Sequence, residues 1–171
     1  GEKEYRPDYH TETVPEGIPA WAYKQIEYLK KYKYIVNWYI DHRQIEDGEF
    51  GGGLSDDGDF TCCWVGLVLM GCDPEKVLRS LERCNDAFYN QGMFTNGLCS
   101  IQTDELHSAE EGVTSLAQCC MAAYGNPRFL ERAMENARGG YWITGINKAG
   151  HRHFKSTYFS GCKMAAELPW G

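Results

Sequence analysis

Residues 61–90 read TCCWVGLVLMGCDPEKVLRSLERCNDAFYN, and this stretch decides the fold class. Its apolar first part stops at Gly71, a residue type that closes helices because it adopts the left-handed conformation without strain. Asp73 then occupies a helix-capping position, and Pro74 stands at the first helical position, where its missing N–H costs nothing. The pattern predicts two helices joined by a short turn, over 61–71 and 74–90.

Helix signals continue outward from this pair in both directions. Upstream, Pro19 stands at a helix start, and apolar residues then recur at three- and four-residue steps from Trp21 to Tyr39. Downstream, acidic residues begin one helix, as the helix dipole favours, and Asn126-Pro127 begins another, which Gly139-Gly140 is expected to end. The further predicted helices are 21–42, 110–124, 127–138 and 159–167.

Glycine-rich and polar stretches separate these helices. Residues 46–60 contain five glycines and are predicted to form a loop, and residues 92–108 are predicted to be irregular. Residues 147–150, Asn-Lys-Ala-Gly, are typical of the turn of a short β-hairpin. Because long loops alternate with short turns, an antiparallel array places the long loops at one end. We therefore predict an all-α domain of antiparallel helical hairpins over 18–171, preceded by an extended lead-in over 1–17.

The composition indicates a globular protein without a nucleic-acid or membrane partner. Hydrophobic residues make up 43% of the 171 residues, which is enough for a core. The net charge of −7 argues against general nucleic-acid binding, and no apolar run approaches the length of a membrane span. The aromatic share of 13% is consistent both with core packing and with a sugar-binding cleft.

The cysteines are predicted to be free and buried. The chain has eight, and the adjacent pairs Cys62-Cys63 and Cys119-Cys120 lie in apolar stretches. Their spacing does not match a zinc site and no cofactor-binding motif is present, so neither a metal nor a cofactor is predicted. The number would allow a disulfide framework, but a chain of this length does not depend on one.

An acidic cluster is the first candidate for chemistry. Seven acidic residues fall between Asp41 and Asp59, counting both ends. Clustered carboxylates raise one another's pKa, which provides a hydrolase with one acid and one base. The alternatives are a solvated loop, helix-capping acids, or a calcium site without the EF-hand ligand order. Because glycine lets the backbone approach a ligand closely, Glu49, Asp56 and Asp57 are predicted to line a substrate cleft.

A basic segment later in the chain is the second candidate. No Asp or Glu occurs from 136 to 166, whereas His151, Arg152, His153 and Lys155 fall close together. An anionic substrate such as a uronate-containing glycan would explain this asymmetry, since Arg and Lys pair with carboxylates. The alternative is that this face simply pairs with the acidic cluster. If residues 151–155 form a strand, His151, His153 and Lys155 share one face.

The side chains of this segment match what β-elimination of a uronate requires. One group neutralises the carboxylate, a base removes the C5 proton, and an acid protonates the leaving oxygen. His151, His153 and Tyr158 are candidate acids and bases, and so is His107, four residues before Glu111 at a predicted helix start. The alternatives are structural roles for the histidines and helix capping by the acidic residues that follow His107.

Four segments resemble helical (α/α) toroid enzymes that degrade polysaccharides, and polysaccharide lyases in particular. MGCDPEKVLR (70–79) and YGNPRFLERA (124–133) resemble the inter-helix turns of these enzymes. GGGLSDDGDF (51–60) resembles their cleft loops, and HRHFKSTY (151–158) resembles their polar site segments. The resemblance implies a toroid-like array of antiparallel hairpins, which is either an incomplete ring or one part of a larger enzyme.

The same resemblance implies a polysaccharide lyase that cleaves a uronate-containing glycan by β-elimination, without a cofactor and in a secreted or periplasmic setting. Arg152 and Lys155 would bind the uronate carboxylate, and Trp38, Trp64 or Trp142 would provide stacking platforms for neighbouring sugars. One alternative is a glycoside hydrolase on the same fold that uses paired carboxylates. Another is a non-catalytic helical module that binds a glycan or packs against further domains of the same enzyme.

Overall fold

The computed structural model describes residues 12–100 and 108–155, with the side chains of residues 54, 55, 111 and 112 excepted. The described chain is mostly helical, which confirms a predominantly α-helical protein. Residues 1–11 of the predicted lead-in and the predicted helix 159–167 lie outside the described ranges. The helices are α1 (Ala20–His42), α2 (Leu54–Thr61), α3 (Val65–Leu69), α4 (Pro74–Asn90), α5 (Ser115–Ala122) and α6 (Pro127–Trp142).

The turn between α3 and α4 uses the predicted residues in a partly different way. Gly71 has a φ of +74°, as a closing glycine should, and Pro74 is the first residue of α4. Asp73 stands at the N-cap position, but its side chain does not cap the helix. It accepts hydrogen bonds from Asn37 (2.5 Å) and Lys33 (3.3 Å) of α1 instead. The predicted side-chain cap is wrong, because this carboxylate is hydrogen-bonded to α1 instead of to the first turn of α4.

The segment between α1 and α4 departs most from prediction. The stretch 46–60 is not a loop throughout, since α2 begins directly after Gly53, which has a φ of +89°. The predicted single helix 61–71 is also wrong, because α2 ends at Thr61 and α3 begins only at Val65. Gly58 lies within α2, which packs against α4 and against residues 110–114, and this tertiary packing overrides the low helix propensity of glycine.

α6 continues through Gly139-Gly140, so its predicted end at residue 138 is wrong. Gly139 is buried, and a Cβ there would lie 3.1 Å from Cγ of Leu98 and against the backbone of Asn96. The glycine therefore lets a neighbouring hairpin approach the helix and does not end it. The predicted start is confirmed, because the side chain of Asn126 accepts a hydrogen bond from the backbone N–H of Arg128.

A short β-hairpin follows each of α4 and α6. β1 (Phe94–Thr95) pairs antiparallel with β2 (Leu98–Cys99), within the stretch that is predicted to be irregular. β3 (Thr144–Ile146) pairs antiparallel with β4 (Arg152–Phe154), which confirms the predicted hairpin around residues 147–150. A π-helical turn, Glu110–Thr114, leads directly into α5.

Contacts made by α4 establish a two-layer arrangement. α4 and α5 run antiparallel, since Asn85 bonds to Ser115 and the carbonyl oxygen of Leu81 accepts from Cys119. α6 returns after a short turn and therefore runs parallel to α4, with which it also pairs. α1 runs in this direction too, as its contacts with successive turns of α4 show. α1, α4 and α6 form one layer, and α2, α3 and α5 form the other.

The core lies between the two layers. Val77, Leu81, Cys84 and Phe88 of α4 are buried and follow one another at helical spacing, which gives this helix its apolar stripe. They pack with buried side chains of every other described helix except α2, through Val36, Leu67, Leu116, Cys119 and Phe129.

The prediction for the cysteines is met only in part. The cysteines in the described ranges form no disulfide bonds with one another. Cys84, Cys99 and Cys119 are buried, as predicted, whereas Cys63 is exposed. Cys162 lies outside the described residues.

Candidate functional site

The long connections gather at one end of the layer formed by α1, α4 and α6. The acidic segment, residues 46–59, starts beside the C-terminal half of α4, where Arg83 donates to the carbonyl oxygen of Glu46 and Gln91 donates to Asp47. The basic hairpin, residues 143–155, follows directly after α6. Because these three helices run in the same direction, both segments lie toward their C-terminal ends.

α4 lies between α1 and α6, the helices that lead into the acidic segment and the basic hairpin. Ser80 and Arg83 of α4 face the connection after α1, whereas Asp86 and Tyr89 face Arg132 of α6. Packed helix axes lie about 8–10 Å apart, so α1 and α6 are separated by roughly twice that distance. The prediction that the two segments meet across one mouth stays a prediction, since it includes residues outside the described ranges.

Asp57 is the most enclosed carboxylate of the acidic segment. It is only 2% exposed, and its Oδ2 accepts a hydrogen bond of 2.8 Å from the backbone N–H of Phe50. This bond ties the first turn of α2 to the start of the glycine stretch. A Cβ at Gly52 would lie 4.0 Å from Oδ1 of Asp57 and 3.8 Å from Oδ2 of Asp56. Both carboxylates therefore border the space next to a residue without a side chain.

The environment of Asp57 favours its protonated form. Burial raises the pKa of Asp57 from 3.8 to about 6. The hydrogen bond from Phe50 opposes this rise, and the nearby carboxylates of Glu49 and Asp56 add to it. Glu49 is half-buried and Asp56 is exposed. A carboxyl with a pKa near neutrality beside other carboxylates is suited to donate a proton at mildly acidic pH.

The three predicted tryptophan platforms lie in different environments. Trp64 is 2% exposed and packs edge-on against Phe50 and Phe60, so it is a core residue and the prediction of a stacking platform is corrected there. Trp38 is 39% exposed, but His42 stacks on it with ring centroids 5.0 Å apart. Trp142 at the end of α6 is 69% exposed. It is the tryptophan with the largest free area of the three.

The register of the basic hairpin places its polar side chains on two faces. His153 pairs with Gly145, so no cross-strand side chain stands opposite its ring. Lys155 lies on the same face by strand alternation, and its alkyl chain covers Gly145. His151 lies just before β4, two residues before His153, and its backbone N–H donates to the side chain of Asn147. The predicted shared face is therefore supported for His153 and Lys155, whereas His151 lies outside β4 and its place on that face stays a prediction.

A hydrogen bond selects the tautomer of His153. Its Nδ1 lies 2.9 Å from the carbonyl oxygen of Phe154. A carbonyl oxygen can only accept, so Nδ1 carries the proton of the neutral ring and Nε2 carries the lone pair. The ring is half-buried, which leaves part of it accessible to a ligand.

Arg152 lies on the other face of β4. Its guanidinium donates to Oγ1 of Thr144 (2.8 Å) and to the hydroxyl of Tyr141 (3.1 Å), and it stacks over the Tyr141 ring at 4.4 Å. These contacts fix the orientation of the cation at the exposed surface. Tyr141 was not singled out by sequence, because nothing in its pattern distinguishes a cation-holding ring from an ordinary helix residue.

Two of the predicted acid–base residues, His107 and Tyr158, lie outside the described residues. The side chain of Glu111 is also outside the description, whereas Glu110 is half-buried in the π-helical turn. Sequence reasoning also missed a polar cavity between α1 and α4, which includes Gln44. The available signal was the spacing of cationic residues at 76, 79 and 83, which places them on one face of α4.

Further properties of the described ranges bear on the class of protein. Within residues 12–100 and 108–155, no group of three or more His, Cys, Asp or Glu side chains is placed to hold a metal ion. None of the helices described there is both long enough and apolar enough to cross a membrane. Comparisons of the chain with protein-family models, with curated proteins and with solved structures find no match.

Proposed function

We propose that the chain is part of a polysaccharide lyase with a helical (α/α) toroid-like architecture, which acts by β-elimination on a uronate-containing glycan in a secreted or periplasmic setting. The observation that carries the proposal is the face of the basic hairpin that holds His153 and Lys155. Nε2 of His153 provides a lone pair that can remove a proton. Lys155 provides a cation for the uronate carboxylate.

The proposed chemistry divides between these two side chains. Contact of the Lys155 ammonium with the carboxylate would stabilise the negative charge that develops when the C5 proton leaves. Nε2 of His153 would take that proton, since Nδ1 is already committed to Phe154. Tyr158, three residues beyond Lys155, and His107 remain the proposed proton donors to the leaving oxygen. Arg152, on the opposite face, is proposed to bind a neighbouring acidic sugar.

The edges of the helical array support the toroid-like part of the proposal. Trp21, Tyr28 and Tyr34 of α1 are each more than half exposed, and so are Leu130 and Trp142 of α6. Repeated helical arrays bury such apolar edges against neighbouring hairpins. We therefore propose that further hairpins of the same enzyme cover them, which would extend the array on both sides.

A lyase assay with a matched pair of histidine variants tests the proposal. β-Elimination forms a C4–C5 double bond, whose ultraviolet absorbance is followed on polyuronate substrates. His153→Gln should lower the rate roughly 10²–10⁴-fold, as loss of a general base does. His42→Gln is the control, because Nδ1 of His42 also bonds to a carbonyl oxygen, that of Trp38, but outside the hairpin. Equal rates for His153→Gln and the unaltered protein would eliminate His153 as the base.

A glycoside hydrolase is the second candidate, and the environment of Asp57 favours it. A buried carboxyl with a pKa of about 6 beside Glu49 and Asp56 resembles an acid–base arrangement for glycosidic bond cleavage. Reducing-end formation without ultraviolet-absorbing product, abolished by Asp57→Asn, would support the hydrolase and contradict the lyase. Glycan binding without either product would contradict both and support a non-catalytic module.

A further inference from the structure

Two adjacent thiols lie at the junction between α2 and α3. Cys62 directly follows α2, and Cys63 comes two residues before α3 begins. Their Sγ atoms are 3.6 Å apart, within the distance of a thiol–thiol hydrogen bond. Cys63 is exposed, whereas Cys62 is half-buried. One thiol is therefore accessible to a small reagent, and its neighbour lies within contact distance of it.

The other adjacent pair, Cys119 and Cys120, shows that this contact does not follow from sequence adjacency. The thiol of Cys119 donates to the carbonyl oxygen of Leu81, and that of Cys120 donates to the carbonyl oxygen of Phe129. Cys119 is also buried. Of the two adjacent pairs, the one at the junction is therefore the pair whose thiols bond to each other and reach the surface.

The backbone at the junction is held by turns that are shorter than those of an α-helix. The N–H of Cys62 donates to the carbonyl oxygen of Asp59. The carbonyl oxygen of Cys63 accepts from the N–H of Gly66. Both bonds span three residues, the 3₁₀ pattern, whose hydrogen-bond geometry is poorer than that of the α-helix. Rotation of the peptide between the two cysteines therefore disturbs less structure here than inside a continuous helix.

We propose that Cys62 and Cys63 form a reversible redox site, which a low-molecular-weight disulfide oxidises to a disulfide between adjacent residues. The thiolate of Cys63 attacks one sulfur of that reagent, whose S–S bond breaks and releases one small thiolate. Cys62 then loses its proton to solvent and attacks Sγ of Cys63, which displaces the second small thiolate. The protein loses two electrons and two protons, and the reagent becomes two thiols.

The environment of the two sulfurs assigns these roles. Burial, and after it the hydrogen bond with Cys63, raise the pKa of the Cys62 thiol to about 11. A half-buried thiol with a raised pKa is slow to attack a reagent from solution, but its thiolate is a strong nucleophile toward a sulfur at contact distance. Cys63 therefore attacks first and Cys62 second.

Covalent geometry makes the proposed disulfide easy to reduce. Consecutive Cα atoms are about 3.8 Å apart, whereas disulfides usually join Cα atoms roughly 4.4–6.8 Å apart. The ring is therefore strained, and strained disulfides are the labile ones. The site should accordingly open again when thiol is in excess. This redox chemistry is independent of the proposed lyase activity, and no glycan is needed to test it.

The test treats the folded protein with oxidised glutathione, blocks the remaining thiols, and maps the products by mass spectrometry after digestion with trypsin. The peptide 44–76 contains both cysteines and also Cys72, which serves as an internal comparison. The expected product of this peptide has lost two hydrogen atoms, carries no glutathione and keeps Cys72 as a blocked thiol. Treatment with dithiothreitol before blocking should restore all three thiols.

Single serine variants separate the two roles. Cys62→Ser removes the second thiol, so glutathione should accumulate on Cys63. Cys63→Ser should take up roughly tenfold less glutathione at Cys62, because the raised pKa lowers the thiolate fraction more than the higher nucleophilicity offsets. Cys72→Ser is the matched control and should form the ring as the unaltered protein does.

Four results would overturn the redox site. The first is the absence of the ring in the unaltered protein, whether its thiols stay unreacted or Cys63 keeps glutathione. The second is a disulfide that joins either cysteine to Cys72 or to any other cysteine. The third is equal uptake of glutathione by Cys62→Ser and Cys63→Ser. The fourth is equal oxidation of Cys119 and Cys120 in the folded protein, since contact at the junction would then not direct the reaction.

Discussion

Replacing Asp57 with Asn should change how the stability of the protein depends on pH. The folded protein holds this carboxyl at 2% exposure, and burial raises its pKa from 3.8 to about 6. A folded-state pKa above the unfolded value means that the neutral form stabilises the fold. The contribution is complete below pH 3.8 and is lost as the pH rises through about 6. Asn keeps an oxygen that can accept from the N–H of Phe50, but it cannot ionise.

The size of the effect follows from the two pKa values. One pKa unit corresponds to about 1.4 kcal/mol, so ionisation of Asp57 costs the folded state roughly 3 kcal/mol at high pH. Between pH 4 and pH 7 the change amounts to about 2 kcal/mol, because part of the titration of the unfolded chain precedes pH 4. Asp57→Asn should therefore gain about 2 kcal/mol relative to the unaltered protein over this interval. Its absolute stability at pH 4 can be lower, since the new amide N–H₂ is buried.

Urea unfolding followed by circular dichroism at pH 4, 5, 6 and 7 measures this difference. The difference between the two proteins cancels the titration of groups that they share. Asp56→Asn is the matched comparison, since it removes one acidic charge from the same helical turn at an exposed position; it should change the pH dependence far less, because burial is the largest cause of the raised pKa of Asp57 and the Asp56 carboxylate a smaller one. A difference between Asp57→Asn and the unaltered protein that stays constant within about 0.5 kcal/mol, near the accuracy of the extrapolation, would refute the proposed environment of Asp57.

Three further outcomes are expected. In urea unfolding, Gly97→Ala should destabilise the protein by several kcal/mol more than Gly92→Ala. Both glycines have a φ of +75°, but only a Cβ at Gly97 would overlap the α6 backbone. Equal losses of stability would contradict this close approach. Asn126→Ala should cost about 1 kcal/mol in the same assay through loss of the α6 cap, and an unchanged midpoint would argue against that cap. Thiol labelling of the native protein, measured by mass spectrometry, should modify the exposed Cys63 early. Cys119 should react only after unfolding, because burial raises the pKa of its thiol to about 12. The reverse order would be inconsistent with a buried Cys119.

Local signals were sufficient where local and tertiary preferences agree. α4 has a proline at its first position, a glycine before its start and an apolar stripe of helical period, and its predicted bounds match the structure. The hairpin of β3 and β4 was also predictable, because Asn147 and Gly150 form a turn whose hydrogen bonds involve only nearby residues. In both cases the contacts that fix the element lie within a few residues of one another in sequence.

The structural role of a glycine cannot be predicted from sequence where it depends on distant parts of the chain. Gly58 lies inside α2, and Gly139 lies inside α6, although glycine ordinarily weakens or ends a helix. Sequence alone could not show that the backbone of Asn96 packs on Gly139. Asp73 is a comparable case for polar groups, because its partners Asn37 and Lys33 come from a helix more than 30 residues earlier.

The candidate site, too, could be predicted from sequence only where local geometry determines it. Strand alternation was enough to predict that His153 and Lys155 share a face, but not that the carbonyl of Phe154 would leave Nε2 of His153 as the proton acceptor. Trp64 was misassigned because a buried and a sugar-stacking tryptophan look alike in sequence. The polar cavity between α1 and α4 includes Gln44. It could not be predicted from sequence, because its lining comes from segments that are more than 30 residues apart.

The two candidate centres are anchored to different parts of the fold, which makes the lyase and hydrolase proposals independently testable. Asp57 is anchored to Phe50 on the α2 side, whereas His153 lies on the hairpin that follows α6. Substitutions at sites without shared partners have additive effects, so each variant reports on its own centre. If the lyase proposal holds, His153→Gln loses activity while Asp57→Asn retains it, and the hydrolase predicts the opposite. If both single variants lose activity equally and the double variant loses no more than either one, the two effects are not additive. A substrate would then bridge the end of α4, and the two segments would form one cleft.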